Sequence, residues 1–293
     1  MRELILELTA YDWIENHFVE QCIYWKEDGL FFRSIYRSRD TVDLDSLPKP
    51  DPIPVEDIRA LWHEDLTVAP SPLPESSYVK VPDITTWEPD FGGWSVSKRF
   101  FAEVEMLEFL RKHPHPNICV YFGCSRDGNY IEGICIQRYP RTLKQAVEEN
   151  REGLDREAII AGLTAGIEHL HSLGLVHCDI KPQNIMLDEN NVPVIIDFGS
   201  CEREGQAMVK GGGTPGWAKP SWMYGPNSIR VAFKEKDLYA IGLIEKYLKG
   251  EWSIEEVNNE DREYLESARV DLGSHSTEKE VSHSSGARDG GAE

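Results

Sequence analysis

One stretch of this chain, from Leu175 to Gly199, constrains its fold more than any other, and it reads LVHCDIKPQNIMLDENNVPVIIDFG. Two short apolar runs inside it, IML and VPVII, predict a hairpin of two buried strands. The polar residues that flank these runs then meet at one mouth of the hairpin. Those residues are Asp179, Lys181, Asn184 and Asp197.

This set of side chains matches what phosphoryl transfer requires. The charge on a transferring phosphoryl group is spread over its oxygens, so a protein contributes mainly positioned cations, metal ligands and one carboxylate near the attacking hydroxyl. Asp179 would orient that hydroxyl and accept its proton. Asn184 and Asp197 would hold Mg²⁺ through oxygen atoms, and Lys181 would neutralise the transferring group.

The spacing of these residues carries a family resemblance. Asn184 lies five residues after Asp179, and Asp197 lies thirteen after Asn184, which resembles the catalytic and metal-binding loops of protein kinases. An ordinary polar turn between buried strands would leave this joint spacing unexplained. The chain therefore resembles the eukaryotic-type serine/threonine protein kinases, as a divergent, fungal-type member.

The resemblance implies further site residues upstream of this stretch. Lys80, in SYVKV, is similar to the lysine that contacts the α- and β-phosphates of ATP, and Glu103 to the helix glutamate that pairs with it. The alternative for Glu103 is a solvated surface carboxylate. The same resemblance implies Gln137 at the gatekeeper position, with Arg138 and Tyr139 in the hinge that holds adenine.

Two downstream residues have roles that the resemblance also implies. Thr214, in GTPGW, would hydrogen-bond Asp179 and Lys181 within the segment that shapes the substrate pocket. Asp237 resembles the buried aspartate that anchors the backbone of the catalytic loop. A simple helix N-cap is the alternative for Asp237.

The chain departs from the kinase pattern in three places. No glycine occurs between Gly29 and Gly92, so the glycine-rich loop that covers the ATP phosphates is missing before Lys80. Cys178 replaces the arginine that clamps a phosphorylated activation loop, so activity is not expected to depend on such phosphorylation. The segment that would carry the APE motif reads Lys-Pro-Ser at 219–221, without its carboxylate.

The resemblance implies an α+β, two-lobed, protein-kinase-like fold with a small β-rich upper lobe and a mainly helical, truncated lower lobe. Apolar periodicity predicts the upper-lobe helix at about residues 96–112, with Phe101, Val104, Leu107 and Leu110 on one face. Four units are predicted. Residues 1–75 form a β-rich extension with Pro-rich connectors, which could also begin the upper lobe. The upper lobe follows at 76–137, the lower lobe at 138–255 and a disordered polar tail at 256–293.

Composition limits the partners and the compartment. A formal net charge of −20 argues against nucleic acid or an anionic membrane as a partner. The N-terminus lacks a secretory apolar region, and no apolar run approaches the ~18 residues of a membrane span. The six cysteines lack paired metal spacing, which favours reduced thiols. We therefore expect an intracellular protein, cytoplasmic or nuclear.

Three functions are compatible with these features. The first is a serine/threonine protein kinase that uses ATP and Mg²⁺ and acts on a protein substrate. The second is a pseudokinase that acts as a binding or scaffold module, which the missing glycine loop favours. The third is a small-molecule phosphotransferase, although Lys181 and the GTPGW segment speak against it.

Overall fold

The computed structural model describes residues 2–12, 17–36, 43–87, 95–208, 213–223 and 230–253. Over these ranges the chain forms an N-terminal sheet followed by a β-rich upper lobe and a mainly helical lower lobe, so the α+β, kinase-like architecture expected from the sequence is confirmed. The polar tail predicted to be disordered, residues 256–293, lies outside the described residues.

The N-terminal sheet is an antiparallel meander. Its strands are β1 (Glu3–Asp12), β2 (His17–Glu27) and β3 (Leu30–Tyr36), in the spatial order β1-β2-β3. The turn between β2 and β3 is made by Asp28 and Gly29, whose φ angles are 51° and 80°. Tight two-residue hairpins favour such positive angles because they match the twist of the flanking strands.

Both faces of this sheet are covered. Successive side chains of a strand point to opposite faces, so Trp25 packs with Phe32 and Leu47 on one face. On the other face Tyr24 packs with Ile58, in the short helix α1 (Val55–Ile58), and with Ile53 and Ile84. The sheet is thereby attached to the chain that leads into the upper lobe.

The upper lobe contains a three-stranded antiparallel sheet and one helix. The strands are β4 (Ser77–Lys80), β5 (Tyr121–Asp127) and β6 (Tyr130–Gln137), in the order β4-β6-β5. The helix is α2 (Val96–Leu110), which begins after the N-cap Ser95. Its buried face includes Phe100, Val104, Leu107 and Leu110, and the predicted Phe101 is partly buried against the same core.

The segment between the two Pro-rich stretches also packs on the upper lobe. Ala60 O accepts the backbone N–H of Ile131 at 2.9 Å, and Ala69 N donates to Cys124 O at 2.9 Å. Residues 60–69 therefore run along the β5-β6 hairpin as a short extra edge. The upper lobe accordingly extends back to about residue 60, before the boundary at 76 that the sequence suggested.

The lower lobe combines helices with short strand pairs. Asp155 caps the long helix by accepting the N–H of Ala158 at 3.0 Å, and Gly174 follows that helix with a φ of 72°. The strands pair in the orders β10-β9-β7 and β11-β8. The elements are β7 (Arg141–Thr142), α3 (Leu143–Asn150), α4 (Arg156–Ser172), β8 (Leu175–Val176), β9 (Ile185–Leu187), β10 (Pro193–Ile195), β11 (Glu202–Arg203), α5 (Pro220–Met223) and α6 (Glu235–Lys249).

One apolar core runs through both lobes, from Val104 in α2 to Leu163 in α4 and Ile244 in α6. Within the ranges described, no helix has the length and apolar character needed to cross a membrane.

Candidate active site

The catalytic loop after β8 is fixed from below by a buried carboxylate. Asp237, 1% exposed, accepts the backbone N–H groups of His177 and Cys178, each at 2.9 Å. It lies inside α6, whose N-cap residue is Lys234, so the N-cap alternative for Asp237 is wrong. Cys178 has a φ of 66°, an angle that non-glycine residues adopt mainly where the surroundings enforce it. The loop is therefore held in a single backbone path.

Asp179 lies at the centre of a hydrogen-bond network in this loop. The Thr214 hydroxyl donates to Asp179 Oδ1 at 2.5 Å, and Lys181 Nζ donates to Asp179 Oδ2 at 2.8 Å and to Thr214 Oγ1 at 2.9 Å. Asn184 Nδ2 donates to the backbone O and to Oδ2 of Asp179, at 2.9 and 3.1 Å. The structure thus brings the predicted residues Asp179, Lys181, Asn184 and Thr214 together. Their hydrogen bonds fix the plane of the Asp179 carboxylate.

A second polar cluster lies across the cleft. Lys80 Nζ donates to both carboxylate oxygens of Glu103, at 2.7 and 2.8 Å, and to Asp197 Oδ1 at 2.9 Å. Burial disfavours the charged form of Lys80, but the carboxylates of Glu103 and Asp197 outweigh it and raise the pKa of Lys80. Lys80 therefore remains a cation at neutral pH, which a group that contacts phosphate requires. Glu103 is buried, so it is not a solvated surface residue.

A cavity of about 720 Å³ lies between the lobes, bordered by the Lys80 cluster and, from the Asp179 cluster, by Asn184. Its size is within the range of small-molecule sites. Lys80, Glu103, Asn184 and Asp197 line one part of it, and Ile134, Ile136, Met186 and other mostly apolar residues line the rest. A flat apolar ring and a charged phosphate chain would each find suitable surroundings there.

Asn184 and Asp197 fit a magnesium site of the kind that phosphate completes. Within the described ranges no group of three or more His, Cys, Asp or Glu side chains could hold a metal ion by itself. Mg²⁺ is commonly bound by one or two protein oxygens together with substrate phosphates. The oxygen donors of Asn184 and Asp197 on the same cavity wall meet that requirement.

The hinge at the back of the cavity differs by one residue from the prediction. Lys80 pairs with Ile134 and Tyr78 with Ile136, so the side chain of Ile136 shares the face of Lys80, whereas that of Gln137 points to the other face. The gatekeeper position therefore falls on Ile136 rather than Gln137. Gln137, Arg138 and Tyr139 all line the cavity as the hinge segment.

The roof of the cavity has no glycine-rich hairpin among the described residues. β4 is an edge strand in that part of the chain, paired with β6 alone, and Tyr78 on it is 48% exposed. Upstream of β4, residues 60–69 run along the β5-β6 hairpin and do not pair with β4. The described residues thus contain no glycine-rich backbone that could cover a bound phosphate chain from this side.

Two residues of the site were not identified from the sequence. Phe198 is 1% exposed and its ring lies edge-on to that of His177, with the centroids 5.3 Å apart, which joins the Asp197 segment to the catalytic loop. Met186 lines the cavity from β9. Its position two residues after Asn184 in a strand was the available signal, because alternate residues share a face.

Comparison with known proteins agrees with this geometry. The family model described as protein kinase domain matches residues 88–286. The chain is 31% identical over 156 residues to the serine/threonine-protein kinase ppk6 of Schizosaccharomyces pombe, covering 48% of this chain and 18% of that protein. It is 31% identical over 165 residues to the serine/threonine-protein kinase D of a Synechocystis species, covering 50% of this chain and 30% of that protein.

A third relative, the serine/threonine-protein kinase PSK1 of Saccharomyces cerevisiae, is 31% identical over 157 residues, which is 49% of this chain and 11% of that protein. The chain thus spans less than a third of the length of each of these relatives. The family match extends over more than half of the chain and contains both the catalytic loop and Asp197. This chain belongs to the protein kinase domain family.

Proposed function

We propose that this kinase transfers the γ-phosphoryl group of ATP to a serine or threonine hydroxyl of a protein substrate, with Mg²⁺. One observation carries the proposal: the Lys80–Glu103–Asp197 cluster and the Asp179–Lys181–Thr214 cluster are both formed, and Asn184, which bonds Asp179, lines the same cavity as Lys80 and Asp197. A domain that had lost its chemistry would have no need of both.

Each side chain then has a defined task. Asp179 orients the substrate hydroxyl and takes its proton as the oxygen attacks the γ-phosphorus and ADP leaves. Thr214 and Asn184 hold the Asp179 carboxylate in place, and Lys181 neutralises charge on the transferring group. Lys80, oriented by Glu103, contacts the α- and β-phosphates. Bound Mg²⁺ would neutralise phosphate charge, held by oxygens of Asn184 and Asp197.

The test compares Asp179→Asn and Asp197→Ala with Asp51→Asn, which changes an exposed carboxylate outside the site. Phosphoryl transfer from ATP to generic protein substrates is measured with the full chain. We expect both site variants to lose at least about 10²-fold in turnover, the scale of positioned acid–base groups. The control variant Asp51→Asn is expected to keep the wild-type turnover. Undiminished turnover in folded Asp179→Asn and Asp197→Ala would contradict the proposal.

A nucleotide-free pseudokinase is the second candidate, because β4 has no strand partner on its outer edge within the described chain. A ligand that binds only the folded state raises the midpoint of thermal unfolding. An unchanged midpoint at millimolar ATP and Mg²⁺, together with absent transfer, would favour this scaffold function.

We also propose a reducing, intracellular location. All six cysteines lie in described ranges, and each is a free thiol. Free thiols persist where glutathione keeps them reduced. Cell fractionation of the tagged chain tests this, and recovery from the secreted fraction would contradict it.

A further inference from the structure

Glu103 can orient Lys80 only while α2 stays close to β4. The helix buries Phe100, Val104 and Leu107 against the lobe, but apolar contacts by themselves are not directional. Polar contacts along α2 therefore matter for where Glu103 is held.

The most extensive of these contacts is made by Glu108, in the last turns of α2. Its carboxylate accepts the backbone N–H of Thr67 at 2.7 Å, the hydroxyl of Thr67 at 2.8 Å and the hydroxyl of Tyr121 at 2.9 Å. The Glu108 side chain is only 15% exposed. Hydrogen bonds to a carboxylate are roughly twice as strong as neutral ones. Thr67 thus contributes two of the three bonds that fix this end of α2.

Thr67 is itself held in one register against β5. Its backbone O accepts the N–H of Cys124 at 2.8 Å, and Ala69 N donates to Cys124 O at 2.9 Å. Gly123 has a φ of 124°, and a Cβ there would lie 2.6 Å from Thr67 O. The two backbone hydrogen bonds therefore set the register of Thr67 on β5, and the missing side chain at Gly123 permits their close approach. We call residues 60–69 the α2-anchoring segment.

The other end of α2 is also tied to upstream chain. The Ser97 hydroxyl donates to the backbone O of Glu56, and the Arg99 guanidinium donates to the backbone O of Thr86 at 2.6 Å. Glu56, Thr67 and Thr86 all precede residue 88, where the match to the protein kinase family model begins. These contacts are therefore a property of this chain beyond the matched region.

We infer that the α2-anchoring segment positions the active site, and that Thr67 is a positioning residue that acts through Glu108 on the Glu103–Lys80 pair. The inference rests on the proposed kinase function. This anchoring explains how α2 can be held in place without a phosphorylated activation loop. Cys178 stands at the position of the arginine that would clamp such a loop, and it is buried with Val176, Met208 and Ala232.

The test replaces Thr67 by valine in the full chain. Without the hydroxyl, α2 is expected to be displaced in a larger fraction of molecules. The apparent affinity for ATP falls in proportion to the fraction of molecules that can still bind ATP. The KM for ATP is expected to rise at least about tenfold, the scale of one hydrogen bond to a charged group. The kcat at saturating ATP is expected to change less than twofold. A merely structural defect would instead lower the active fraction, reducing kcat at unchanged KM.

Two variants and one direct measurement accompany this test. Thr67→Ser keeps the hydroxyl and is expected to restore the KM, and Ser46→Ala removes a hydroxyl that bonds only Asp43 in the N-terminal region and is expected to leave it unchanged. In a Glu108→Ala background, Thr67→Val is expected to add no further change. Hydrogen exchange of the α2 amides is expected to quicken in Thr67→Val, whether or not the chain is active.

The outcomes separate the inference from the proposed function. Wild-type KM and wild-type α2 exchange in Thr67→Val overturn the inference, as does an equal added effect in the Glu108→Ala background. A wild-type chain without transfer activity whose Thr67→Val variant still shows faster α2 exchange overturns the proposed function and supports the anchoring.

Discussion

Asp237 lies beneath the catalytic loop, where its two carboxylate oxygens accept the N–H groups of His177 and Cys178 and one of them also bonds the ring of His171 at 2.9 Å. At the scale of single residues, this acceptor decides the path of the loop. Buried backbone N–H groups that lose their acceptor leave a full desolvation penalty behind. The geometry of Asp179 therefore depends on a side chain that does not contact the substrate cavity.

We expect Asp237→Asn to lower the free energy of unfolding by about 2–4 kcal/mol, because an amide offers only one acceptor oxygen for two N–H groups. Urea denaturation at neutral pH measures the loss. The matched control is Asp155→Asn at the N-cap of α4, where asparagine caps as well as aspartate. Equal, small losses in the two variants would show that the path of the catalytic loop does not depend on the Asp237 carboxylate.

At the scale of elements, the contact between β5 and residues 60–69 assembles the upper lobe. The positive φ of Gly123 and the close carbonyl of Thr67 leave no room for a side chain. Gly128 offers a comparison in the turn between β5 and β6. It also has a positive φ, 59°, but a Cβ added there would have no neighbouring atom of the described residues within 4 Å. Substitution of Gly128 therefore tests backbone strain alone, whereas substitution of Gly123 tests backbone strain together with steric overlap.

Gly128→Ala is expected to destabilise the protein by about 1–2 kcal/mol, the cost of a left-handed backbone with a Cβ. Gly123→Ala adds overlap with a backbone oxygen and is expected to cost at least about 2 kcal/mol more. Denaturation midpoints at constant m-value measure both. If Gly123→Ala lowered the free energy of unfolding no more than Gly128→Ala, the close packing of residues 60–69 on β5 would be contradicted.

At the scale of the whole molecule, burial makes the free energy of unfolding depend on alkaline pH. Burial raises the pKa of Cys119 to about 12 and that of Cys124 to about 11, and it also raises the pKa values of the Cys135, Cys178 and Cys201 thiols. In the unfolded chain these thiols ionise near their ordinary value of about 9. Above that pH the unfolded state therefore binds fewer protons than the folded state.

Stability is expected to fall as the pH rises from 9 towards 11, since unfolding becomes more favourable wherever the unfolded state binds fewer protons. A thiol that is ionised in the unfolded chain and still protonated in the folded one, as expected for Cys119 and Cys124, contributes up to about 1.4 kcal/mol for each pH unit. The raised pKa of Lys80 acts in the same direction above its ordinary value. Urea unfolding at pH 7, 8 and 10 measures the change, and equal free energies at pH 8 and pH 10 would contradict it.

Much of this architecture follows from local sequence. The 3.6-residue period identified α2 to within two residues, and the spacing of Asp179, Asn184 and Asp197 identified the family. An error arose where the register of a strand had to be chosen, as with Ile136 against Gln137. A shift of one residue moves a side chain to the other side of a strand, and composition alone does not fix that register.

The sequence by itself determined the catalytic loop, the helices and the missing glycine loop, because periodicity, capping and motif spacing are properties of neighbouring residues. Only the tertiary structure decided that Lys80 meets Asp197, 117 positions later, and that Thr67 reaches Glu108. Those contacts depend on how sheets and helices pack, and packing is set by the combined shape of many distant side chains rather than by any local pattern.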